Sequence, residues 1–250
     1  MTLFDTHAHY DDEAFDADRD AVLAAFDGLV IDPGCTLASS QAAVDLTARH
    51  PHVYAAVGIH PENCGDFVPE HMDALRQLAR EPKVVAIGEI GLDYYWPENP
   101  PRDFQQQVFR AQLELALELD LPVIVHDREA HGDSLAIVKE YPALRGVFHC
   151  YSGSVEMARE LLRRGWYLGF DGPITYKNAA KAPEVIAACP VERILLETDS
   201  PYLAPVPNRG KRNDSRNLPF IAARVAQIKG MMIDQVAEVT LQNGKKLFDL

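Results

Sequence analysis

The chain has 250 residues, of which 47% are hydrophobic and 24% are charged. These proportions are typical of a folded globular protein, and α/β barrels use about 250 residues for one domain. The net charge of −13 at pH 7 excludes a protein that coats nucleic acid with a broad basic surface.

Residues 1–30 are rich in acidic side chains and contain no long apolar segment, so we expect no secretory leader. No apolar stretch approaches the length of a membrane span, and we expect no membrane association. The four cysteines lie far apart without C-x-x-C spacing, which favours reduced thiols. We therefore expect a cytoplasmic, monomeric protein.

Eight short apolar runs predict strands that are covered on both faces, as in a parallel sheet. The first run contains Leu3 and Phe4, and the following runs cover residues 28–32, 53–58, 83–88, 122–126, 146–149, 166–170 and 193–197. Helical periodicity is found between these runs, with apolar residues three or four positions apart from Phe104 to Leu119. Further helices are predicted at 17–26, 38–49, 70–80, 130–140, 155–162, 178–188 and 218–228.

This alternation of strands and helices predicts a (β/α)₈ TIM barrel that forms one domain over residues 1–250. An open doubly wound sheet is the alternative arrangement. In a barrel, functional side chains collect at the carboxyl ends of the strands. Six candidate metal ligands follow five of the predicted strands: His7 and His9, Glu89, His126, His149 and Asp199.

The spacing of His7 and His9 is informative because side chains two positions apart in a strand point to the same face. Six ligands exceed the need of one catalytic ion, which favours two divalent ions about 3.5–4 Å apart. Imidazoles and carboxylates without a thiolate are compatible with Mg²⁺, Mn²⁺, Fe²⁺ or Zn²⁺, so the identity of the ions stays open. Such a pair lowers the pKa of bound water from 15.7 to about 7, and hydrolysis is therefore the favoured reaction.

These residues lie in segments whose order and spacing resemble the TatD-type family of metal-dependent deoxyribonucleases, a branch of the amidohydrolase-like barrels. The similar segments cover essentially the whole chain: DTHAHYDD, VGIHPEN, AIGEIGLDYYW, LPVIVHDREA, GVFHCYSGS, ILLETDSPYLAP, NRGKRND and LQNGKKLF. The resemblance implies a (β/α)₈ barrel and metal-dependent cleavage of phosphodiester bonds from DNA ends.

The resemblance also implies a division of the ligands between two metals. It assigns His7, His9 and Asp199 to the first metal and His126 and His149 to the second, with Glu89 as the bridge. It implies that His60 contacts the substrate rather than a metal, with a capping or packing histidine as the alternative. The chain departs from the family pattern at Glu62, Asp127 and Glu129, and the last two are expected to add negative charge beside the site.

Two further segments near the predicted ends of strands could contact substrate. Arg209, Lys211 and Arg212 follow the last ligand and are predicted to hold phosphate at the barrel rim, with a solvated loop as the alternative. The segment 93–96 contains two tyrosines and a tryptophan just beyond Glu89. An aromatic ring there could stack on a base or could pack over the barrel mouth, and the sequence does not choose between them.

The leading functional hypothesis is a two-metal phosphodiesterase that acts on DNA ends or short single-stranded DNA, with Glu89 and Asp199 as catalytic residues. Asp199 would align or deprotonate the attacking water. The alternative is an amidohydrolase-type deacylase for aminoacyl-tRNA or a small amide or ester, although such barrels commonly use a modified lysine where Glu89 stands. A metal-dependent scaffold that binds nucleic acid without turnover is a third hypothesis.

Overall fold

The computed structural model describes residues 1–250 and contains one parallel sheet of eight strands. The strands follow one another in chain order around the sheet, which confirms the predicted barrel. Their bounds are β1 Leu3–Asp5, β2 Gly28–Pro33, β3 Val53–Val57, β4 Val84–Asp93, β5 Val123–Arg128, β6 Gly146–Phe148, β7 Tyr167–Phe170 and β8 Ile194–Leu196.

Helices alternate with the strands and surround the sheet. They are α1 Arg19–Ala24, α2 Leu37–Arg49, α3 Glu70–Leu78, α4 Arg102–Leu119, α5 His131–Glu140, α6 Val155–Arg163, α7 Lys181–Ala188, α8 Leu218–Lys229 and α9 Ile233–Phe248. The first eight coincide with the predicted helices to within a few residues. None of the helices is long and apolar enough to cross a membrane.

The barrel closes where the segments that follow β1 and β8 meet. The Thr6 amide donates to the Leu196 carbonyl at 3.1 Å, and the Asp199 amide donates to the His7 carbonyl at 2.9 Å. Ala8 forms a parallel bridge with Ser200. These contacts exclude the open doubly wound sheet, because an open sheet leaves its first and last strands apart.

The barrel interior is apolar and contains at least one buried residue from every strand. This cluster includes Phe4, Ile31, Ala56, Ala86, Ile124, Val147, Tyr167 and Leu195, together with Leu241, Leu247 and Phe248 of α9. A larger cluster of 45 buried residues lies mainly between the strands and the surrounding helices. The packed interior leaves the carboxyl ends of the strands as the place for polar side chains.

Helix α9 was not predicted from the sequence, although Val236, Leu241 and Leu247 lie on its buried face. The same face also contains Thr240, Asn243 and Gly244. Asn243 donates to the carbonyls of Val191 and Ile194, both at 2.8 Å. A Cβ atom at Gly244 would lie 2.5 Å from the Phe4 ring, so only glycine allows this close contact between α9 and β1.

The buried carboxylate of Asp5 forms hydrogen bonds across the closing seam, which is the contact between the segments that follow β1 and β8. Asp5 is fully buried and accepts hydrogen bonds from the Thr198 amide at 2.9 Å, the Thr198 hydroxyl at 2.7 Å and the Ser215 hydroxyl at 2.6 Å. Burial raises the pKa of Asp5 to about 7, against the lowering effect of these hydrogen bonds. The network connects β1 to the segments before and after the last ligand, Asp199.

We expect Asp5→Ala to lower the free energy of unfolding by about 3 kcal/mol or more, because each buried donor left without an acceptor costs about 1–3 kcal/mol. Urea denaturation followed by circular dichroism measures this change. Asp27→Ala is the control, since Asp27 is exposed just before β2. Equal losses in both variants would show that the Asp5 network does not hold the seam.

Candidate metal centre

The six predicted ligands meet at the carboxyl ends of the strands. His7 and His9 follow β1, His126 lies in β5, His149 directly follows β6 and Asp199 lies three residues beyond β8. Glu89 departs from the expected position: it does not end β4 but lies within a strand that continues to Asp93.

An irregularity in β4 directs Glu89 into the barrel mouth. The pairing of β4 with β5 shifts its register between Ile87 and Ile90, on either side of Glu89. Such a bulge reorients a side chain without ending the strand. Gly91 then continues the strand with φ +144°, where a Cβ atom would lie 2.0 Å from the His126 carbonyl oxygen. The apolar run at residues 83–88 predicts a strand but does not indicate a bulge at Glu89.

A first group of four ligand atoms consists of one oxygen of Glu89 and three atoms from other side chains. His7 Nε2 and His9 Nε2 are 3.1 Å apart, and they lie 3.3 and 3.5 Å from Glu89 Oε2. Asp199 Oδ1 lies 3.6 Å from each of the two imidazole nitrogens. Donors at the corners of a tetrahedron with bonds of about 2.1 Å are about 3.4 Å apart, so this spacing fits one bound ion.

A second group surrounds the other oxygen of the same carboxylate. Glu89 Oε1 lies 2.7 Å from His149 Nε2 and 2.9 Å from His126 Nδ1. The two imidazole nitrogens are 3.3 Å apart. Each oxygen of Glu89 therefore belongs to a different group, as expected for a carboxylate that bridges two ions.

The charge of the site also fits bound cations. Glu89 and Asp199 form no ion pair with a lysine or arginine, and the only side chains within 4 Å that can pair with their charge are imidazoles. The side chain of Glu89 is only 4% exposed. Buried carboxylates need a cationic partner or a metal, so the donor set is suited to divalent ions.

Both carboxylates are held in the ionised form that metal binding requires. Burial alone would raise the pKa of Glu89, but attraction to His149, His60 and His7 and a hydrogen bond with His126 hold it well below its usual range. The pKa of Asp199 is likewise lowered to about 2, against burial, chiefly by the hydrogen bond with His9.

The imidazoles are oriented by partners outside the two groups. His126 Nε2 lies 3.0 Å from Asp93 Oδ2, and His9 Nδ1 lies 3.1 Å from the Pro33 carbonyl oxygen. His149 Nδ1 faces Glu197 Oε1 at 3.7 Å. Such partners fix the tautomer and ring orientation of ligating histidines. The contacts of Asp93 and Glu197 with these histidines were not predicted, although both residues lie close to predicted ligands in the chain.

Hydrogen bonding raises the pKa of His126 to about 9. Burial opposes this change, but Asp93 and Glu89 both accept from the imidazole and stabilise its charged form. A metal ion at the second group must displace this proton, so its affinity is expected to fall as the pH decreases.

His60 approaches the second group from the segment after β3. Its Nε2 lies 3.4 Å from Glu89 Oε1, and its Nδ1 accepts from the Glu62 amide at 3.2 Å. This hydrogen bond places the ring proton on Nε2, since a nitrogen that accepts carries no proton. Burial lowers the pKa of His60 to about 4, so the ring is neutral at pH 7.

Two cysteines lie near the ligands. Cys35 Sγ is 3.8 Å from Glu89 Oε2 and 4.0 Å from His9 Nδ1, a proximity that the sequence did not predict. Burial raises the pKa of the Cys35 thiol to about 11, so the thiol of the metal-free protein is protonated at pH 7. Cys150 donates its backbone amide to Glu197. All four cysteines are free thiols.

The three basic residues predicted to hold phosphate have different surroundings in the structure. Arg209 stacks on the Tyr176 ring with its Cζ atom 4.3 Å from the centroid, and Lys211 is exposed. Arg212 was expected to be available as well, but both terminal nitrogens bond to Asp18, at 2.8 and 2.7 Å. The Arg212 guanidinium thus fastens the loop to the segment before α1, and its role in holding phosphate stays a prediction, with a smaller contribution expected than from Arg209 and Lys211.

Asp127 was expected to add negative charge beside the site, but its carboxylate is bonded to residues of a helix. Its carboxylate accepts from the Ser134 hydroxyl at 3.0 Å and lies 2.8 Å from His131 Nδ1. Both partners belong to the start of α5. Asp127 therefore anchors this helix rather than adding an unpaired charge to the site.

We expect Glu89→Gln to abolish metal binding at both groups, because the amide removes the charge from the shared ligand. Metal content after dialysis against micromolar Mn²⁺ or Zn²⁺, measured by mass spectrometry, tests this. Cys150→Ala is the control, since its bond to Glu197 comes from the backbone. A Glu89→Gln protein that retains the full metal content would contradict the bridging role.

Comparison with known proteins identifies the family of the chain. The profile of the family described as TatD related DNase matches residues 4–249. A Bacillus subtilis (strain 168) protein named uncharacterized metal-dependent hydrolase YabD is 40% identical over 252 residues, covering 98% of each chain. A Salmonella typhimurium protein named 3′-5′ ssDNA/RNA exonuclease TatD is 34% identical over 260 residues, covering 99% of each chain.

A solved structure extends the agreement to the whole fold. The crystal structure of YJJV, a TatD homologue from Escherichia coli K12, matches with a TM-score of 0.93 and 32% identity. The match covers 99% of this chain and 98% of that one. With the family profile spanning nearly every residue, the chain belongs to the TatD-related DNase family.

Proposed function

We propose that this protein binds two divalent ions and hydrolyses phosphodiester bonds at the ends of single-stranded nucleic acid. The observation that carries the proposal is the shared carboxylate of Glu89. Its two oxygens belong to two separate groups of nitrogen and oxygen donors, with the closest donors at 3.3 Å from Oε2 and 2.7 Å from Oε1. Two adjacent ions suit an in-line displacement at phosphorus, because they can clamp the attacking and leaving oxygens.

The comparisons support the substrate class. The Salmonella relative is named an ssDNA/RNA exonuclease, and it aligns along 99% of both chains. The Bacillus relative is more similar but is named only as a metal-dependent hydrolase. We therefore take single-stranded ends as the proposed substrate, without a choice between DNA and RNA.

The surroundings of Asp199 support a role in positioning the attacking water. Its Oδ1 faces His7 and His9, while its side chain is 16% exposed and borders the solvent at the barrel mouth. Divalent ions bound here would polarise the phosphoryl group and lower the pKa of a bound water molecule. Asp199 adopts φ +55°, a left-handed conformation that is uncommon for aspartate and recurs at functional sites. We propose that its carboxylate orients this water and accepts its proton.

His60 is proposed to contact the substrate. Since its Nδ1 accepts from the Glu62 amide, its Nε2 carries a proton and cannot donate a lone pair to a metal. The same proton can be donated to an oxygen of the scissile phosphate. This tautomer supports the substrate role expected from the family resemblance over a role as a fifth imidazole ligand.

The proposal is tested with oligonucleotides labelled at either the 5′ or the 3′ end, and with circular single-stranded DNA as a substrate without ends. We expect stepwise shortening of the linear strands with Mn²⁺ or Mg²⁺, loss of cleavage with a chelator, and no cleavage of the circle. Equal cleavage of circle and linear strands would contradict end recognition. Hydrolysis of aminoacyl esters without cleavage of any phosphodiester would favour the deacylase alternative.

We expect Asp199→Asn to lower kcat by at least 100-fold, because an amide cannot accept a proton from water and general base catalysis contributes about 10²–10⁴-fold. At least one ion should remain bound, since the other ligands of both groups are unchanged. Parallel measurements of kcat and metal content at saturating metal test this. If metal content and kcat fall strictly together, Asp199 acts only as a ligand.

We expect a shallow salt dependence of oligonucleotide binding. With Arg212 bonded to Asp18, Arg209 and Lys211 remain to neutralise phosphates from this loop. Two phosphates held by this loop contribute about −1.4 to the slope of log K against log salt for a single strand. Changing Arg209 and Lys211 to Gln should flatten the slope, whereas the control Arg212→Gln should change it little. A steep slope insensitive to the double change would place the strand on another surface.

A further inference from the structure

Three side chains form an exposed cluster beside the metal centre, which we call the aromatic platform: Tyr95, Trp96 and Arg128. The residues Tyr95 and Trp96 are 50% and 42% exposed, and their ring centroids are 4.7 Å apart at an angle of 87°. The Arg128 Cζ atom lies 3.9 Å from the Tyr95 centroid and 5.3 Å from the Trp96 centroid. Large aromatic rings exposed together commonly mark a binding surface.

The platform is fixed to the second donor group through Asp93. One oxygen of Asp93 accepts from the Tyr95 amide at 2.9 Å, and the other lies 3.0 Å from His126 Nε2. The Asn99 side chain also donates to the Asp93 carbonyl and carboxylate, both at 3.1 Å. The same carboxylate therefore orients a candidate ligand and anchors the loop that carries the two rings.

Arg128 supplies charge to this surface. It ends β5 two residues beyond His126, and its guanidinium forms no ion pair or hydrogen bond in the structure. Asp93 and Glu62 act on it only at longer range. By contrast, Arg212 at the opposite side of the mouth is held by two bonds to Asp18. Arg128 thus keeps its N–H donors available for an anion.

We infer that the aromatic platform binds the nucleotide adjacent to the scissile phosphate of a single strand. A base stacks on Trp96, and Arg128 donates to a neighbouring phosphate, which it can contact with two parallel hydrogen bonds. Stacking on aromatic rings is tolerant of base identity and requires an unpaired base. This inference rests on the proposed function and extends it, since such stacking predicts a preference for single strands over duplex.

The two tryptophans make binding directly measurable. Trp166 is 2% exposed and packs against Phe148, whereas Trp96 is 42% exposed. The metal-loaded protein is titrated with phosphorothioate oligothymidylate, which resists cleavage, while tryptophan fluorescence is recorded. We expect quenching that is absent in Trp96→Phe, together with a Kd raised about 5- to 150-fold in Trp96→Ala, the range expected for loss of one stacked base.

Matched variants distinguish a loss of base stacking from a loss of folded protein. Trp96→Phe keeps an aromatic ring and should retain most of the affinity that Trp96→Ala loses. Arg128→Gln should weaken binding and flatten the salt dependence. Leu117→Ala, on the exposed face of α4, serves as the control with unchanged affinity. In the active enzyme, Trp96→Ala should raise KM for oligonucleotide at least fivefold more than KM for bis(p-nitrophenyl) phosphate, which has no base.

The platform would be overturned by absence of quenching by oligothymidylate or by equal changes in KM for both substrates. It would also be overturned by self-association of the protein that Trp96→Ala abolishes while nucleic acid binding persists. The proposed function is judged separately by cleavage of labelled strands in the wild-type protein. A protein that cleaves strand ends normally with Trp96→Ala would keep the proposed function and reject the platform.

Discussion

The site depends on one buried carboxylate with no permanent cationic partner. Glu89 is 3% exposed, and only imidazoles surround its two oxygens as potential cationic neighbours. Taking a carboxylate out of water is unfavourable unless a charge or metal compensates it. The cluster around Glu89 is therefore suited to bind cations. The same requirement accounts for the spacing of the ligands, the outer partners of the histidines and the orientation of Asp199.

The barrel makes this arrangement possible by separating two environments. Its interior is filled with apolar side chains from all eight strands, whereas polar side chains gather where the strands end. The seam between β1 and β8 matters most, because it carries His7 and His9 on one side and Asp199 on the other. The buried Asp5 network holds the two sides together, so the geometry of the first donor group depends on a residue that touches no ligand side chain.

Much of this could be predicted from the sequence because apolar runs and helical periods are local signals. The eight strands, eight helices and the position of the candidate ligands near one rim all follow from such signals. The α9 helix was not predicted, although apolar residues at helical spacing lie on its buried face beside Thr240, Asn243 and Gly244. The engagement of Arg212 by Asp18 and the role of Asp93 depend on contacts between distant segments or on a bulge, which composition and spacing do not encode.

The central claim is that Glu89 joins two metal positions. Anomalous diffraction from crystals grown with Mn²⁺, with data collected on both sides of the manganese absorption edge, tests it most directly. We expect two peaks about 3.5–4 Å apart, one near each oxygen of Glu89, as in two-metal sites of hydrolases. A single peak at saturating metal, or two peaks of which neither lies against the Glu89 carboxylate, would show that Glu89 does not bridge two ions.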